Sequence, residues 1–130
     1  MAEKKHVKTE MIDGRPVAHV AEHTVSMREG EPTPVDLLLV SLGGCAALTL
    51  HAIMEKKRME VEQITVDVEG TYAEDRPPRL TEMQLTFRVQ SPGLTQEELD
   101  DTIALSERYC PVHQTLEAGT KITTNAEVIS

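Results

Sequence analysis

One stretch constrains this chain more than any other: Leu37 to Leu50, about 14 residues without a charge. Read at helical spacing, its Leu, Val, Ala and Cys side chains point in every direction, so the helix has no polar face to give to water. Such a helix must be surrounded by protein. A chain of 130 residues has difficulty covering one helix on all sides, so a second copy is expected to supply part of the cover. The run is too short to cross a bilayer and is interrupted by Ser41, Gly43, Gly44 and Thr49. Met1 to His6 carries charge with no apolar segment behind it, unlike a secretory signal. The expectation is a cytoplasmic protein with no membrane partner.

The other elements follow from local pattern. Val7, Thr9 and Met11 alternate with polar neighbours up to Asp13-Gly14, a dipeptide suited to a tight hairpin turn. Val17 to Met27 reads as the returning strand, and Glu29 to Pro34 breaks it. Thr33, Pro34 and Asp36 then mark the start of the apolar helix, which should end at the cationic Lys56-Lys57-Arg58. Ile64, Val66 and Val68 alternate with polar residues, as do Met83, Leu85, Phe87 and Val89, with a polar turn at Glu74 to Pro78 between them. Thr95 with Glu98 opens a second helix carrying Leu99, Thr102, Ile103, Ser106 and Cys110 on one side, and Pro111 ends it or begins another. Ile122, Thr124, Ala126 and Val128 suggest a last half-buried strand. No repeat or linker divides the chain, so the expected organisation is a single domain, residues 1–130, of α+β class.

Composition removes whole classes of partner. Tyr72, Tyr109 and Phe87 are the only aromatic residues, too few for a surface that stacks bases. A formal net charge of −9 repels a polyanion at long range. Nucleic acid is therefore not an expected partner.

Chemistry concentrates on Cys45 and Cys110. Gly43-Gly44 inside a helix costs about 2 kcal/mol relative to two alanines. Either another part of the backbone packs closely there, or the helix breaks and restarts at Cys45, whose thiolate would then gain from the helix N-terminus. Cys110 stands directly before Pro111, where its side chain could cap the following turn. The bland alternative is that Cys45 is a small apolar core residue. Two metal patterns are also present. His19-Val-Ala-Glu22-His23 has the spacing of a zinc-peptidase helix but lies in a strand-like neighbourhood, and Cys110 with His113 offers two ligands where structural zinc uses four. Neither supports a metal cofactor, and no other cofactor motif is present.

Pro34, Leu37, Leu38 and Leu42-Gly43-Gly44-Cys45, followed about 65 residues later by Tyr109-Cys110-Pro111-Val112, together resemble the OsmC/Ohr superfamily. The Leu-Gly-Gly-Cys form is closer to its OsmC-like branch. The resemblance implies an OsmC-like fold, with antiparallel sheets wrapped around buried central helices in an intertwined homodimer. It also implies reduction of organic hydroperoxides, and of hydrogen peroxide as a further substrate. Cys45 would be the attacking cysteine, Cys110 would resolve it to a disulfide, and an external dithiol of lipoyl type would restore both. Family members assist the attacking thiolate with a Glu just after the helix-start Pro and an Arg from the N-terminal strands. Here Val35 follows Pro34, so Asp36 is the nearest carboxylate, and Arg15 and Arg28 are the available arginines; Asp36 and Arg15 are the candidates for that pair. The rival expectation is a non-catalytic dimer that binds a small apolar or thiol-reactive ligand.

Overall fold

A computed structural model of the chain describes residues 2–129. Its contacts fall into two compact units, one ending at Val40 and one beginning at Ser41.

The first unit holds three antiparallel strands, β1 (Lys8–Ile12), β2 (Arg15–Val20) and β3 (His23–Ser26), in the order β1-β2-β3. Asp13 and Gly14 both adopt positive φ, 52° and 78°, the conformation a two-residue hairpin turn requires. Met11 thereby faces Pro16, and Lys8 faces His19. The expected single return strand is in fact two. Ala21, at φ 53°, reverses the chain so that Val20 pairs with His23. Side-chain alternation continues across a two-residue turn, so periodicity alone could not reveal it. The unit closes with the first turn of the helix α1 (Pro34–Lys56). Thr33 N–H donates to Asp36 Oδ2 at 2.9 Å and Asp36 N–H donates to Thr33 Oγ1 at 3.2 Å, the reciprocal cap expected from their spacing.

In the second unit α1 runs without a break through Gly43-Gly44. A Cβ on Gly43 would lie 3.0 Å from Val68 Cγ2, so close packing against a neighbouring strand accounts for that glycine. Leu42, Ala46, Leu50 and Met54 form a buried stripe at four-residue spacing. Complete cover is not supplied within the chain: Val40 is 61% exposed and Leu48 75%. Because α1 continues past the apolar run to Lys56, it is by length and composition long enough to cross a membrane, although Leu50 and Met54 have no exposed surface at all. Core helices of soluble proteins pass the same test.

Val68 belongs to β4 (Gln63–Tyr72), which pairs antiparallel with β5 (Leu80–Gln90). Ile64 faces Val89, Val66 faces Phe87 and Val68 faces Leu85, and all six are half-buried on one face. The other face is exposed and carries the Arg88–Asp67 ion pair. This is the one-wet, one-dry hairpin that the alternation called for.

Thr95 caps α2 (Gln96–Tyr109) through Glu98 N–H, 3.1 Å from Thr95 Oγ1, while the Glu98 carboxylate accepts from Thr95 N–H. Thr102 and Ser106, both buried, return their hydroxyls to the Glu98 and Ile103 carbonyls, and Lys57 Nζ donates to Thr102 Oγ1 at 3.1 Å. Cys110 ends α2 in extended conformation and begins α3 (Pro111–Ala118), with Pro111 in its first turn. Pro111 thus follows the end of one helix and starts the next.

The α+β class with antiparallel strands is as expected. The last strand is not. Residues 119–129 carry no regular structure, and Ile122, Val128 and Ile129 are almost fully exposed. Among the described residues no strand pairs with them, and an isolated strand leaves its backbone hydrogen-bonding groups without partners.

Candidate functional site

Cys45 and Cys110 stand 65 positions apart in sequence, yet the fold of the second unit brings their thiols close enough to interact. The positioning is local on both sides. Cys45 lies on α1, next to the buried stripe, and is half-buried. Cys110 sits at the junction of α2 and α3 and is 2% exposed. Both thiols are free. Cys45 is inside a continuous helix, so the expectation of a helix restarting at this thiol gives way to close packing at Gly43.

Burial pushes the Cys110 thiol above its ordinary range, because a thiolate there would lose its hydration. The His113 backbone N–H opposes this by favouring the ionised form, the hydrogen bond and charge of Cys45 raise it again, and the Val112 N–H works beside that of His113. These amides belong to the first turn of α3 and have no partner within the helix; the first helical bond runs from Gln114 N–H to the Cys110 carbonyl. The neutral thiol makes no capping hydrogen bond of its own. The site is thus asymmetric: one accessible sulfur on a helix flank, and one enclosed sulfur that holds its proton strongly.

That asymmetry carries a stability consequence. A group whose proton is held more tightly in the folded state contributes stability in full below its unfolded pKa, here near 9.0, and loses it as pH rises through the raised folded value. The reduced protein should therefore lose stability on the alkaline side of about pH 9, with a smaller loss in Cys110→Ala. Urea midpoints measured from pH 7 upward for both proteins test this, and parallel decline would assign the loss to other groups.

The other two site candidates lie in the first unit. Asp36 is exposed, and its carboxylate is held below the ordinary range by the Thr33 backbone N–H and then by the Thr33 hydroxyl. It is engaged in capping α1. Arg15 is exposed at the start of β2, opposite Ile12. His19 and His23 fall on paired strands of one hairpin rather than on a helix, which removes the zinc-peptidase geometry. Among the described residues no three His, Cys, Asp or Glu side chains gather as a metal site. Thr102 and Ser106, expected on the same side of α2 as Cys110, are buried, eight and four residues before it.

Comparison with known proteins gives the family and the fold. A family model described as OsmC-like protein matches residues 27–125, from the end of the first sheet through both cysteines. Protein YhfA of Escherichia coli K12 is 31% identical over 100 residues, which span 76% of this chain and 75% of that protein. The crystal structure of an OsmC-like protein from Mycoplasma pneumoniae superposes with a TM-score of 0.81 at 19% identity, covering 90% of this chain and 89% of that one. An organic hydroperoxide resistance protein from Legionella pneumophila shares the fold at a TM-score of 0.66 and 13% identity, covering 89% and 90%. With the family model spanning most of the chain and both cysteines inside it, this protein belongs to the OsmC-like family.

Proposed function

We propose that this protein is a thiol-dependent peroxidase that reduces organic hydroperoxides, and hydrogen peroxide in addition, in oxidative-stress defence. The observation that carries the reading is the pair of neighbouring free thiols, with Cys45 half-buried and Cys110 enclosed. Cys45, as thiolate, attacks the terminal oxygen of the peroxide. The O–O bond breaks, the remaining oxygen leaves as alkoxide and takes a proton to become the alcohol, and Cys45 becomes a sulfenic acid. The Cys110 sulfur then attacks the Cys45 sulfur. Its proton and the departing hydroxide leave as water, and the disulfide forms. An external dithiol restores both thiols. The Legionella protein, an organic hydroperoxide resistance protein with the same fold, supports the choice of substrate.

A cycle of this kind works with Cys110 shielded from peroxide, since the resolving sulfur needs to reach only Cys45. It also suits a cytoplasmic location, where a reducing pool maintains the thiols. The chain acts as a homodimer in this reading, because Val40 and Leu48 leave one side of α1 uncovered. Leu48→Lys should convert the dimer to monomer in sedimentation or size-exclusion measurements. A monomeric native protein, or a dimer indifferent to this change, would refute the assembly.

The activity is tested by mixing reduced protein with one equivalent of cumene hydroperoxide and measuring intact mass without reductant. Loss of two hydrogens, mapped to a Cys45–Cys110 link, is the expected result. Thiols that stay reduced in excess peroxide would end the catalytic reading and favour a ligand-binding role for the same pair.

A further inference from the structure

We propose that the thiol pair is also a capture site for monosubstituted trivalent arsenicals, RAs(OH)2 and their oxides, held by one As–S bond to Cys45 and one to Cys110. The sulfurs are those given to peroxide above, but this capture does not depend on that reaction. Its ground is a match between valence and placement. Cys45 on α1 and Cys110 at the α2–α3 junction belong to one compact unit, lie close enough to interact, and are both free. They are the only cysteines in the chain, and among the described residues no third His, Cys, Asp or Glu joins them. The pair therefore offers two sulfur bonds, too few for structural zinc, which takes four ligands. Soft sulfur ligands favour thiophilic centres. Arsenic carrying one carbon substituent has two exchangeable bonds, which two sulfurs satisfy. Inorganic arsenite has three and would keep one for water or a foreign thiol. Charge decides against copper(I), which two thiolates would hold as an anion. Cys110 is 2% exposed, and burial there opposes charge. The arsenic adduct is neutral.

The steps balance without any change of oxidation state. Cys45, half-buried on α1, bonds to arsenic first, and its proton leaves with one hydroxide as water. Cys110 then displaces the second hydroxide, and its proton completes a second water. For the oxide RAs=O, one water is released in all. The second bond forms within one molecule, so Cys110 competes with outside thiols at a high effective concentration. Once bound, arsenic ties α1 to the α2–α3 junction across 65 positions of chain. It thereby favours the folded state, which holds the sulfurs together, over an unfolded chain that does not. Oxidation of the pair to a disulfide takes both sulfurs out of use, so the site holds arsenic only when reduced.

The test mixes reduced protein with one equivalent of phenylarsine oxide and measures its mass under non-denaturing conditions in a large excess of glutathione, a monothiol. One phenylarsenic group in place of two hydrogens is expected on each chain. It should be held about a hundredfold or more tighter than by Cys45→Ser or Cys110→Ser. Equal retention by the native protein and either variant overturns the inference, as does a native protein that binds none. Cys45→Ser decides alone where Cys110→Ser does not fold. Phenylarsine oxide should also raise the melting temperature by about 5 °C or more. An unchanged melting temperature means that folded and unfolded chains hold arsenic equally, which overturns the claim that the fold places the sulfurs for it. Sodium arsenite without added thiol should be held less tightly, and equal retention overturns the choice of ligand class. Arsenic capture by a protein inert to peroxide supports the inference and ends only the peroxidase reading. Peroxide turnover in a protein that gives up phenylarsine oxide to glutathione overturns the inference and leaves the peroxidase reading standing.

Discussion

Cys45→Ser should abolish peroxide turnover, by about a thousandfold or more, because hydroxyl oxygen at neutral pH is not a useful nucleophile toward the O–O bond. Cys110→Ser should behave differently. Its Cys45 still reacts once, takes up one oxygen as sulfenic acid, and then stalls without a partner thiol, so peroxide consumption is stoichiometric rather than catalytic. A dimedone adduct on Cys45 in that variant, absent from Cys45→Ser, is the expected signature. The two outcomes follow from geometry. The thiols lie close enough to interact, so the second step needs only a change of partners within one site. Equal loss in both variants would assign the chemistry to an unpaired mechanism, and full activity in Cys45→Ser would assign it elsewhere.

Leu50→Ala should cost about 3 kcal/mol of folding stability. Leu50 has no exposed surface and lies in the middle of the stripe Leu42, Ala46, Leu50 and Met54. Truncation leaves a cavity in the middle of that buried stripe. Against a typical total of 5–15 kcal/mol this is a large fraction, and a fall in melting temperature of roughly 10 °C is expected. Leu48, two residues away and 75% exposed, provides the internal contrast. Leu48→Ala should leave the chain's own stability within about 0.5 kcal/mol in dilute solution. Thermal unfolding of both variants at low protein concentration measures the difference. Similar losses would mean that α1 is buried on both sides under those conditions.

The dimedone and melting experiments address two properties of one helix, and the helix was legible from the start. Its cap is written locally: Thr33 and Asp36 form two reciprocal hydrogen bonds three residues apart, and Thr95 with Glu98 does the same for α2. Short-range spacing also decided the Asp13-Gly14 turn and the wet and dry faces of β4 and β5. Each of these depends on residues within a few positions of one another, or on alternation that the pleat repeats unchanged. The split of the second strand at Ala21 escaped for the same reason, since a tight turn leaves alternation intact.

The candidate site divides along the same line. That Cys45 and Cys110 are the reactive residue types, and that Pro111 marks a new helix start, could be read from the chain itself. Gly43 could not be interpreted there: whether it breaks α1 or admits a neighbour depended on Val68, 25 positions away, whose methyl group occupies the space a Cβ would need. Nor could the tail be read, because Ile122 to Val128 alternate like a strand while, among the described residues, no strand pairs with them. Local pattern determined most of the elements, the caps of α1 and α2, and the two sulfurs. Only the tertiary structure decided that the sulfurs meet, and which of them is enclosed, because burial and contact are properties of residues distant in sequence.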